Sequence, residues 1–417
     1  MQKTKSAEGL RVNAARLWET LELMARIGPG VAGGNRRLAL SEEDRQGRDQ
    51  FRLWAQDSGL TLSVDDMGNL FARREGLEPG AAPVLCGSHL DTQPTGGRYD
   101  GVYGVLAGLE VLRCLNEAGV ATLHPLEVVV WTNEEGSRFQ PAMMGSGVFA
   151  GVLDKRTVHD TRDAQGQRVL DALERIGYRG TLPCQARPIQ AYLEAHIEQG
   201  PILEAEGRTI GIVTGIQGIK WYKATLTGVN AHAGTTPMEV RRDPLVGAAR
   251  MIAEIDRITR AFRPDAMATV GEFTVDPGSI NVINQRVRFS LDLRCPEASG
   301  LAELERRVLA ATSDIAASNG LNWTLEPIWH SPPTVFAPEV VGAVEQAARE
   351  QGLSARPIVS GAGHDAKYLS EICPTAMVFI PCAGGISHNE SESITSTDAE
   401  AGANVLLSAL VRLAKVP

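Results

Sequence analysis

Apolar residues in the N-terminal segment recur at helical spacing. Leu10, Ala14, Leu17, Leu21 and Met24 are three or four residues apart and predict an amphipathic first helix. Charged residues interrupt the whole segment, so it lacks the continuous apolar core of a signal peptide. We therefore expect it to belong to the folded protein and not to a targeting sequence.

Strand and helix patterns then alternate. Ser41 and Asp44 mark the start of a helix that Gly59 closes. A second helix is predicted over residues 102–118. The predicted strands of this part cover residues 60–64, 69–73, 83–89 and 126–132. This alternation predicts an α/β fold with a mixed, largely parallel sheet flanked by helices.

The pattern of apolar and polar positions is different in the middle of the chain. Its strand patterns alternate more strictly and cover residues 219–228, 268–275, 286–294 and 322–327. Two long helical patterns cover residues 240–262 and 301–319. The order strand, helix, strand, strand, helix, strand is typical of a ferredoxin-like α+β domain. We therefore predict such a domain at residues 216–330.

A strand at 376–380 and a helix at 399–413 return to the first pattern. The inserted domain is thus expected to interrupt a larger domain made of residues 1–215 and 331–417.

Composition narrows the class of protein. The 417 residues are 43% hydrophobic, and 41 basic against 50 acidic residues give a net charge of −9. A mildly acidic chain without basic runs argues against binding nucleic acid or an anionic membrane. No apolar stretch reaches the roughly 20 residues that span a bilayer. None of the six cysteines lies in a C-x-x-C pair, so we expect reduced, buried thiols and a cytoplasmic location.

Histidine and carboxylate residues concentrate in five short segments at or just after predicted strands, namely residues 87–91, 97–101, 133–136, 194–198 and 386–390. The carboxyl ends of parallel strands meet at one edge of a sheet, so these segments should lie close together. A lone His-x-Asp or Glu-Glu pair is ordinarily a surface feature. Their joint occurrence favours two divalent metal ions that share a carboxylate and activate water for hydrolysis. The pattern alone leaves Asp91 and Asp100 open as the shared ligand.

In two of these segments the spacing of the residues suggests a role for each member. Residues two apart in a strand face the same side, so Asp91 could accept the second ring N–H of His89 and orient that ligand. Glu134 and Glu135 point in different directions at a strand end. One can bind metal while the other acts as the general base.

At these residues the sequence resembles the M20 metallopeptidase superfamily. The resemblance is to its hydantoinase/carbamoylase amidohydrolase branch, which contains N-carbamoyl-L-amino-acid hydrolases, β-ureidopropionases and allantoate amidohydrolases. It covers nearly the whole chain, and its most telling stretches are GSHLDTQPTGGRYDGVYGVLAGLEVL, WTNEEGSRF, EAHIEQGP, AHAGTTPM, GAGHDA and GISHNE.

The resemblance implies a site with two divalent ions per subunit, Zn²⁺ first, with Mn²⁺, Co²⁺ or Ni²⁺ as alternatives. Asp100 would bridge the ions, and Glu134 would be the general acid and base. The implied metal ligands are His89, Asp100, Glu135, His196 and His388.

The resemblance also implies that the inserted domain is a lid that carries a homodimer contact. His232 would reach an active site, that of the partner subunit, and stabilise the tetrahedral oxyanion. Asn281 and Arg294 would hold the substrate carboxylate. From the residues alone, Asn281 is equally a turn residue and Arg294 a surface charge.

On the larger domain the resemblance implies two further substrate contacts, Gln199 and His364. From the residues alone, His364 is equally the cap of the helix that follows it.

The expected reaction is hydrolysis of the ureido C–N bond of an N-carbamoyl-L-amino acid or N-carbamoyl-β-alanine to amino acid, ammonia and carbon dioxide. Allantoate or ureidoglycolate is an alternative substrate of the same class. An aminoacylase or peptidase is a second alternative, which His196, Asn281 and Arg294 disfavour. A metal-free binding module or a purely structural protein is a third, disfavoured by the complete ligand set.

Overall fold

The computed structural model describes residue 7, residues 9–262 and residues 266–416. The chain forms two compact units. The first joins Met1–Thr214 to Val335–Pro417, and the second is Gly215–Thr334. Residues 1–6 and 8, at the start of the N-terminal segment in which a first helix is predicted, lie outside the described residues.

Helices and strands alternate in the first part of the first unit. Its helices are α1 (Ala14–Met24), α2 (Glu42–Asp57), α3 (Val102–Ala118), α4 (Met144–Phe149), α5 (Lys155–Asp160), α6 (Val169–Arg175) and α7 (Ile202–Ala205). Its strands are β1 (Thr61–Val64), β2 (Leu70–Arg74), β3 (Val84–His89), β4 (Leu126–Trp131), β5 (Ala191–Ile197) and β6 (Ile210–Ile216).

Helix α2 begins and ends where the sequence predicts. The Ser41 hydroxyl accepts the Asp44 backbone N–H at 3.2 Å, which satisfies a donor that the first helical turn leaves open. After the helix, Gly59 has a φ of +74°, a conformation that glycine adopts without steric cost. The predicted helix is thus confirmed at both ends.

The second unit contains β7 (Gly218–Thr227), β8 (Ala231–His232), α8 (Pro244–Arg260), β9 (Met267–Thr269), β10 (Phe273–Asp276), β11 (Val282–Ile283), β12 (Arg286–Cys295), α9 (Ala298–Ser318) and β13 (Asn322–Ser331). Neighbouring strands follow the order β10–β12–β7–β13, and β9 also pairs with β12. Tyr222, Ala224 and Leu226 alternate along β7 and are buried in a core that includes residues of both helices.

Two predictions in this unit were wrong in detail. Residues 268–275 form two short strands, because the Ser290 hydroxyl accepts the N–H groups of Gly271 and Glu272 and interrupts the ladder between them. The predicted helix over 240–262 begins only at Pro244. The Asp243 carboxylate accepts the Leu245 N–H at 2.9 Å, and proline is favoured at a first helical position.

The chain then returns to the first unit through β14 (Thr334–Val335), α10 (Pro338–Glu350), β15 (Ala355–Ser360), α11 (Ala366–Leu369), β16 (Thr375–Ile380) and α12 (Ser396–Leu413). The sheet order is β1–β2–β4–β3–β5–β16–β6–β14, and β15 also pairs with β6. Strands β4, β3, β5 and β16 at its centre are parallel, and β2 and β6 beside them are antiparallel. The expected mixed, largely parallel sheet with flanking helices is confirmed.

Helix α3 lies unusually close to the centre of this sheet. A Cβ added to Gly104 would lie 2.2 Å from the Ala195 carbonyl oxygen of β5, and one added to Gly108 would lie 2.9 Å from the Cys86 sulfur of β3. Glycine at both positions therefore permits the contact. Within the described residues, no helix is both long and apolar enough to cross a membrane.

A buried arginine of α2 ties this helix to the residues before β2 and after β4. Arg48 and Asp44 are fully buried and lie 2.9 Å apart. The Arg48 guanidinium also donates to the Gly68 carbonyl at 2.7 Å and to the Thr132 hydroxyl at 3.3 Å. Thr132 directly follows β4, so this arginine supports the backbone from which the Glu134–Glu135 pair extends.

We expect Arg48→Met to lower the free energy of unfolding by about 3–5 kcal/mol, because the substitution leaves the Asp44 carboxylate buried without its cation. Denaturant unfolding followed by circular dichroism measures this. Arg45→Met is the matched control on the same helix. Arg45 pairs with Glu42 and Asp49 in partly exposed positions, so its loss should change stability far less. Equal losses in the two variants would contradict the assignment.

Candidate metal centre

The parallel strands bring the histidine and carboxylate segments to one edge of the sheet. His89 is the last residue of β3, Glu134 and Glu135 follow β4, and His196 lies near the end of β5. His388 follows β16 in the chain. Asp100 completes the set from the loop before α3. Segments from residue 87 to residue 390 therefore meet in one place, as the strand pattern predicts.

One group of ligand atoms consists of His89, Asp100 and His196, whose ligand atoms lie within 4.8 Å of one another. Asp100 Oδ1 lies 3.1 Å from His196 Nε2 and 3.8 Å from His89 Nε2. All three side chains are buried. Two imidazoles and a carboxylate are donors that suit zinc and similar divalent ions.

Backbone carbonyls fix the orientation of both imidazoles in this group. His89 Nδ1 lies 2.8 Å from the Asp91 carbonyl oxygen, and His196 Nδ1 lies 2.9 Å from that of Ile197. A carbonyl oxygen can only accept, so each Nδ1 carries a proton and donates it. Each Nε2 then faces Asp100, which is the arrangement a metal-ligating histidine needs.

The expected contact of the Asp91 carboxylate with His89 requires correction. Asp91 contacts the His89 ring through its backbone carbonyl. Its carboxylate accepts the backbone N–H groups of Glu134 at 3.3 Å and Glu135 at 3.2 Å. The physical reason is that these N–H groups, in the turn after β4, would otherwise be buried without acceptors. Asp91 thus orients the Glu134–Glu135 turn as well as His89.

A second group consists of Asp100, Glu135 and His388. His388 Nε2 lies 3.3 Å from Asp100 Oδ2 and 3.3 Å from Glu135 Oε2. About half of the His388 side chain is exposed, whereas Asp100 and Glu135 are almost wholly buried. Asp100 is the residue common to both groups and turns a different oxygen toward each. The geometry therefore favours Asp100 over Asp91 as the shared ligand.

Glu134 lies beside the first group. Its Oε2 is 3.5 Å from His89 Nε2, and its carbonyl oxygen accepts the Met143 N–H at 2.8 Å. Burial raises the pKa of Glu134 well above its usual range, and the nearby Asp365, Glu135 and Asp100 carboxylates raise it further. The side chain therefore lies beside the ligands, in surroundings that favour its protonated form.

The pKa values of the other carboxylates indicate that the site contains more negative than positive charge. Burial raises the pKa of Glu135 to about 8 and that of Asp91 to about 7. The pKa of Asp100 lies well below its usual range, because hydrogen bonds with His196 and His388 outweigh the effect of burial. A divalent cation among these residues would supply the charge that protons otherwise provide. The donor set and its electrostatics thus fit two metal ions.

Two carboxylates to which the sequence assigned no role hold the His388 segment in place. The Glu392 carboxylate accepts the N–H groups of Tyr99 at 2.9 Å and Asp100 at 3.1 Å, and the Ser387 hydroxyl at 2.9 Å. The Glu390 carboxylate accepts the N–H groups of Ala32 and Gly34. The alternation of acidic residues after His388 was a signal that could have pointed to both.

Gln199 and His364, the predicted substrate contacts of the first unit, both lie beside the centre. Gln199 Nε2 donates to Asp100 Oδ2 at 2.9 Å and to the Ser387 hydroxyl at 3.2 Å. The buried His364 ring packs against His196 with centroids 4.4 Å apart, and its Nε2 lies 3.0 Å from the Ser360 hydroxyl. Their contact with a substrate stays a prediction.

In the second unit, His232 is the last residue of β8, and Asn281 directly precedes β11, the strand that pairs with β8. His232 pairs with Val282, and the Ala233 N–H donates to the Asn281 carbonyl at 2.9 Å. His232 Nδ1 accepts the N–H groups of Gly234 at 3.0 Å and Thr235 at 3.3 Å. The ring proton of a neutral His232 is therefore on Nε2, and the side chain is exposed.

Arg294, the third residue predicted in this unit, lies on β12. Its guanidinium donates to the Asp292 carboxylate at 2.8 Å and 3.1 Å. A substrate carboxylate at Arg294 would therefore share the guanidinium with Asp292 or displace it.

Comparison with known proteins gives consistent relatives. Residues 85–412 match peptidase family M20/M25/M40. An N-carbamoyl-L-amino-acid amidohydrolase of Rhizobium meliloti is 46% identical over 409 residues, 98% of each chain. An allantoate amidohydrolase of Bacillus subtilis is 35% identical and is matched over 94% of this chain and 96% of its own.

A solved structure is similarly close. The crystal structure of an amidase of the hydantoinase/carbamoylase family from Burkholderia multivorans matches with a TM-score of 0.94 at 52% identity, over 97% of this chain and 98% of its own.

We expect the metal-free protein to gain stability on addition of Zn²⁺ or Mn²⁺, by about 2.7 kcal/mol per site at a free metal concentration 100 times the Kd. Denaturant unfolding with and without metal measures the gain. Asp100→Ala should abolish it, because both groups lose a ligand. Asp65→Asn alters a buried carboxylate that binds the Asn69 side chain and should keep the metal response. A full response in Asp100→Ala would rule out Asp100 as the shared ligand.

Proposed function

Because this chain belongs to the peptidase M20/M25/M40 family, we propose that it is a metal-dependent amidohydrolase of N-carbamoyl-amino acids. The family match also confirms the resemblance inferred from the sequence motifs. The main support for the proposal is that Asp100 belongs to both histidine–carboxylate groups and that Glu134 lies beside them.

The proposed reaction adds water across the ureido C–N bond, R–NH–CO–NH₂. The bond between the carbonyl carbon and the substituted nitrogen breaks, and the amino acid leaves with the proton that this nitrogen needs. The other product is carbamate, which decomposes to ammonia and carbon dioxide. High identity to an N-carbamoyl-L-amino-acid amidohydrolase favours this substrate class over allantoate.

His89, Asp100 and His196 would hold one divalent ion, and Asp100, Glu135 and His388 the other. Zn²⁺ is the first candidate, with Mn²⁺, Co²⁺ or Ni²⁺ as alternatives for such ligands. When bound, ions of this kind polarise a carbonyl group and lower the pKa of water.

Glu134 is the proposed general acid and base. It takes a proton from the attacking water and returns it to the leaving nitrogen. Its backbone is fixed on both sides, since Asp91 accepts its N–H and Met143 donates to its carbonyl. The side chain can therefore move a proton without displacement of the turn that carries it.

Gln199 is the proposed acceptor for a ureido N–H. Its Nε2 is committed to Asp100 and Ser387, while its Oε1 is buried and lacks a hydrogen-bond partner among the described residues. A buried acceptor without a donor costs free energy, which a substrate N–H would recover. His364 packs beside His196, and we propose that it contacts the substrate from there.

We propose that the second unit serves as a lid and carries the contact of a homodimer. His232 would donate its Nε2–H to the oxyanion, in the active site of the partner subunit. The two backbone N–H groups at its Nδ1 support this, because they select the tautomer that can donate. Arg294 and Asn281 would hold the substrate carboxylate, for which a planar guanidinium is well suited.

We further propose a cytoplasmic location. All six cysteines are buried thiols. Buried, reduced thiols are typical of a reducing compartment.

The substrate class is tested by ammonia release from N-carbamoyl-L-amino acids, N-carbamoyl-β-alanine and allantoate, each with added Zn²⁺ or Mn²⁺. We expect the highest kcat/KM for an N-carbamoyl-amino acid. Faster ammonia release from allantoate would transfer the proposal to that substrate. Hydrolysis of dipeptides or N-acetyl amino acids without any ureido activity would refute it.

We expect Glu134→Gln to lower kcat by about 10²–10⁴-fold, the usual contribution of a general base, while two metal ions stay bound. Steady-state kinetics together with metal analysis of the purified variant measure this. Glu127→Gln is the control. Glu127 is a buried glutamate of β4 that pairs with Arg73 and Arg187, and its loss should leave kcat near the wild-type value. Near-normal turnover of Glu134→Gln would exclude Glu134 as the base.

A further inference from the structure

Gln93, in the segment after β3, donates two hydrogen bonds to the Glu135 carboxylate. The Gln93 backbone N–H donates to Glu135 Oε1 at 3.1 Å, and the Gln93 side-chain Nε2 donates to Glu135 Oε2 at 2.7 Å. Nε2 also lies 3.5 Å from the Glu135 carbonyl oxygen. Each carboxylate oxygen of a proposed metal ligand thus accepts a hydrogen bond from the same residue.

The chemistry of the partners determines the orientation of the Gln93 amide. A carboxylate and a carbonyl oxygen can only accept, so the NH₂ group must face Glu135. One lone pair of Oε2 is used in this way, and the same oxygen lies 3.3 Å from His388 Nε2. The amide is neutral, so it orients the carboxylate without cancelling the charge that would attract an ion. A lysine or arginine here would compete with the metal.

The segment that carries Gln93 is itself held by a buried residue. Thr92 and Arg37 exchange two hydrogen bonds of 2.8 Å, and the Arg37 guanidinium donates to the Leu90 carbonyl at 2.7 Å. Arg37 is fully buried. Asp91 in the same segment accepts the Glu135 backbone N–H. Glu135 is therefore held at its backbone and at both carboxylate oxygens by residues 91–93.

We propose that Gln93 is a positioning residue that orients the Glu135 carboxylate and thereby sets the metal affinity of the Asp100–Glu135–His388 group alone. The inference rests on the proposed function, since it requires that two ions bind. In the other group, His89 and His196 are oriented by the carbonyls of Asp91 and Ile197, and these contacts do not involve the Gln93 side chain. The Gln93 side chain therefore supports only the Asp100–Glu135–His388 group, although Asp91 contacts residues of both groups.

The test titrates metal-free protein with Zn²⁺ against a chromophoric chelator. Wild type is expected to show two dissociation constants. Gln93→Met keeps the length of the side chain and removes its donor. It should raise one constant about 10- to 100-fold, the usual effect of losing a hydrogen-bond partner of a metal ligand, and leave the other unchanged.

Gln351→Met is the matched control. The Gln351 amide also donates to two oxygens, the Asn404 carbonyl at 2.9 Å and the Ser408 hydroxyl at 3.1 Å, where α10 meets α12. Its replacement removes the same number of hydrogen bonds away from the proposed ligands. Both dissociation constants should stay at their wild-type values.

Variants that retain only one complete group of ligands identify which dissociation constant changes. In His89→Ala the remaining ion is held by the Asp100–Glu135–His388 group, and added Gln93→Met should weaken it. In His388→Ala the remaining ion is held by the other group, and added Gln93→Met should have no effect. This coupling separates a specific contact from general damage to the fold.

Gln93→Asn is the second variant, because it keeps an amide but shortens its reach. It should raise the same dissociation constant. Thermal unfolding of the metal-free variants verifies that each is folded. The inference is overturned if both constants stay unchanged, or if both rise together. Two bound ions without ureido hydrolysis would refute the proposed function and leave the role of Gln93 intact. Fewer than two ions bound to wild type would overturn both.

Discussion

Buried negative charge is the constraint on which the first unit depends. Asp91 follows β3, Glu134 and Glu135 follow β4, and Asp100 lies just before α3; the side chains of all four are almost wholly withdrawn from water. Taking a carboxylate out of water costs several kcal/mol unless donors or cations replace the solvent. Much of the surrounding structure supplies these donors. Backbone N–H groups of the turn after β4 face Asp91, and those of residues 99 and 100 face Glu392.

The same constraint explains the buried arginines beneath the site. Arg48 pairs with Asp44 and reaches Thr132, and Arg37 holds the backbone of residues 90–92. Burial lowers the pKa of Arg37 to about 10, so it stays charged at neutral pH. Neither arginine contacts the proposed ligands directly. Each instead binds residues next to a strand end, Arg37 after β3 and Arg48 after β4.

The sequence predicted most elements because local rules governed them. Residues 102–118 read as a helix and form one, and the five histidine and carboxylate segments meet because parallel strands share an edge. Sequence reasoning failed where a contact from another strand decided the outcome, as when Ser290 divides residues 268–275. It also assigned no role to Gln93, Glu390 and Glu392. Their roles depend on which distant backbone N–H or carboxylate they face, and periodicity carries no such information.

The contacts of the His388 segment join parts of the chain that are far apart in sequence. Glu390 binds the loop at residues 32–34, and Glu392 binds the backbone at residues 99 and 100, across more than 290 intervening positions. During synthesis, the His89–Asp100–His196 trio is complete once the first half of the chain has emerged. The other trio must wait until residue 388 leaves the ribosome. The two groups of proposed ligands are therefore completed in a fixed order during synthesis, the Asp100–Glu135–His388 group after the His89–Asp100–His196 group.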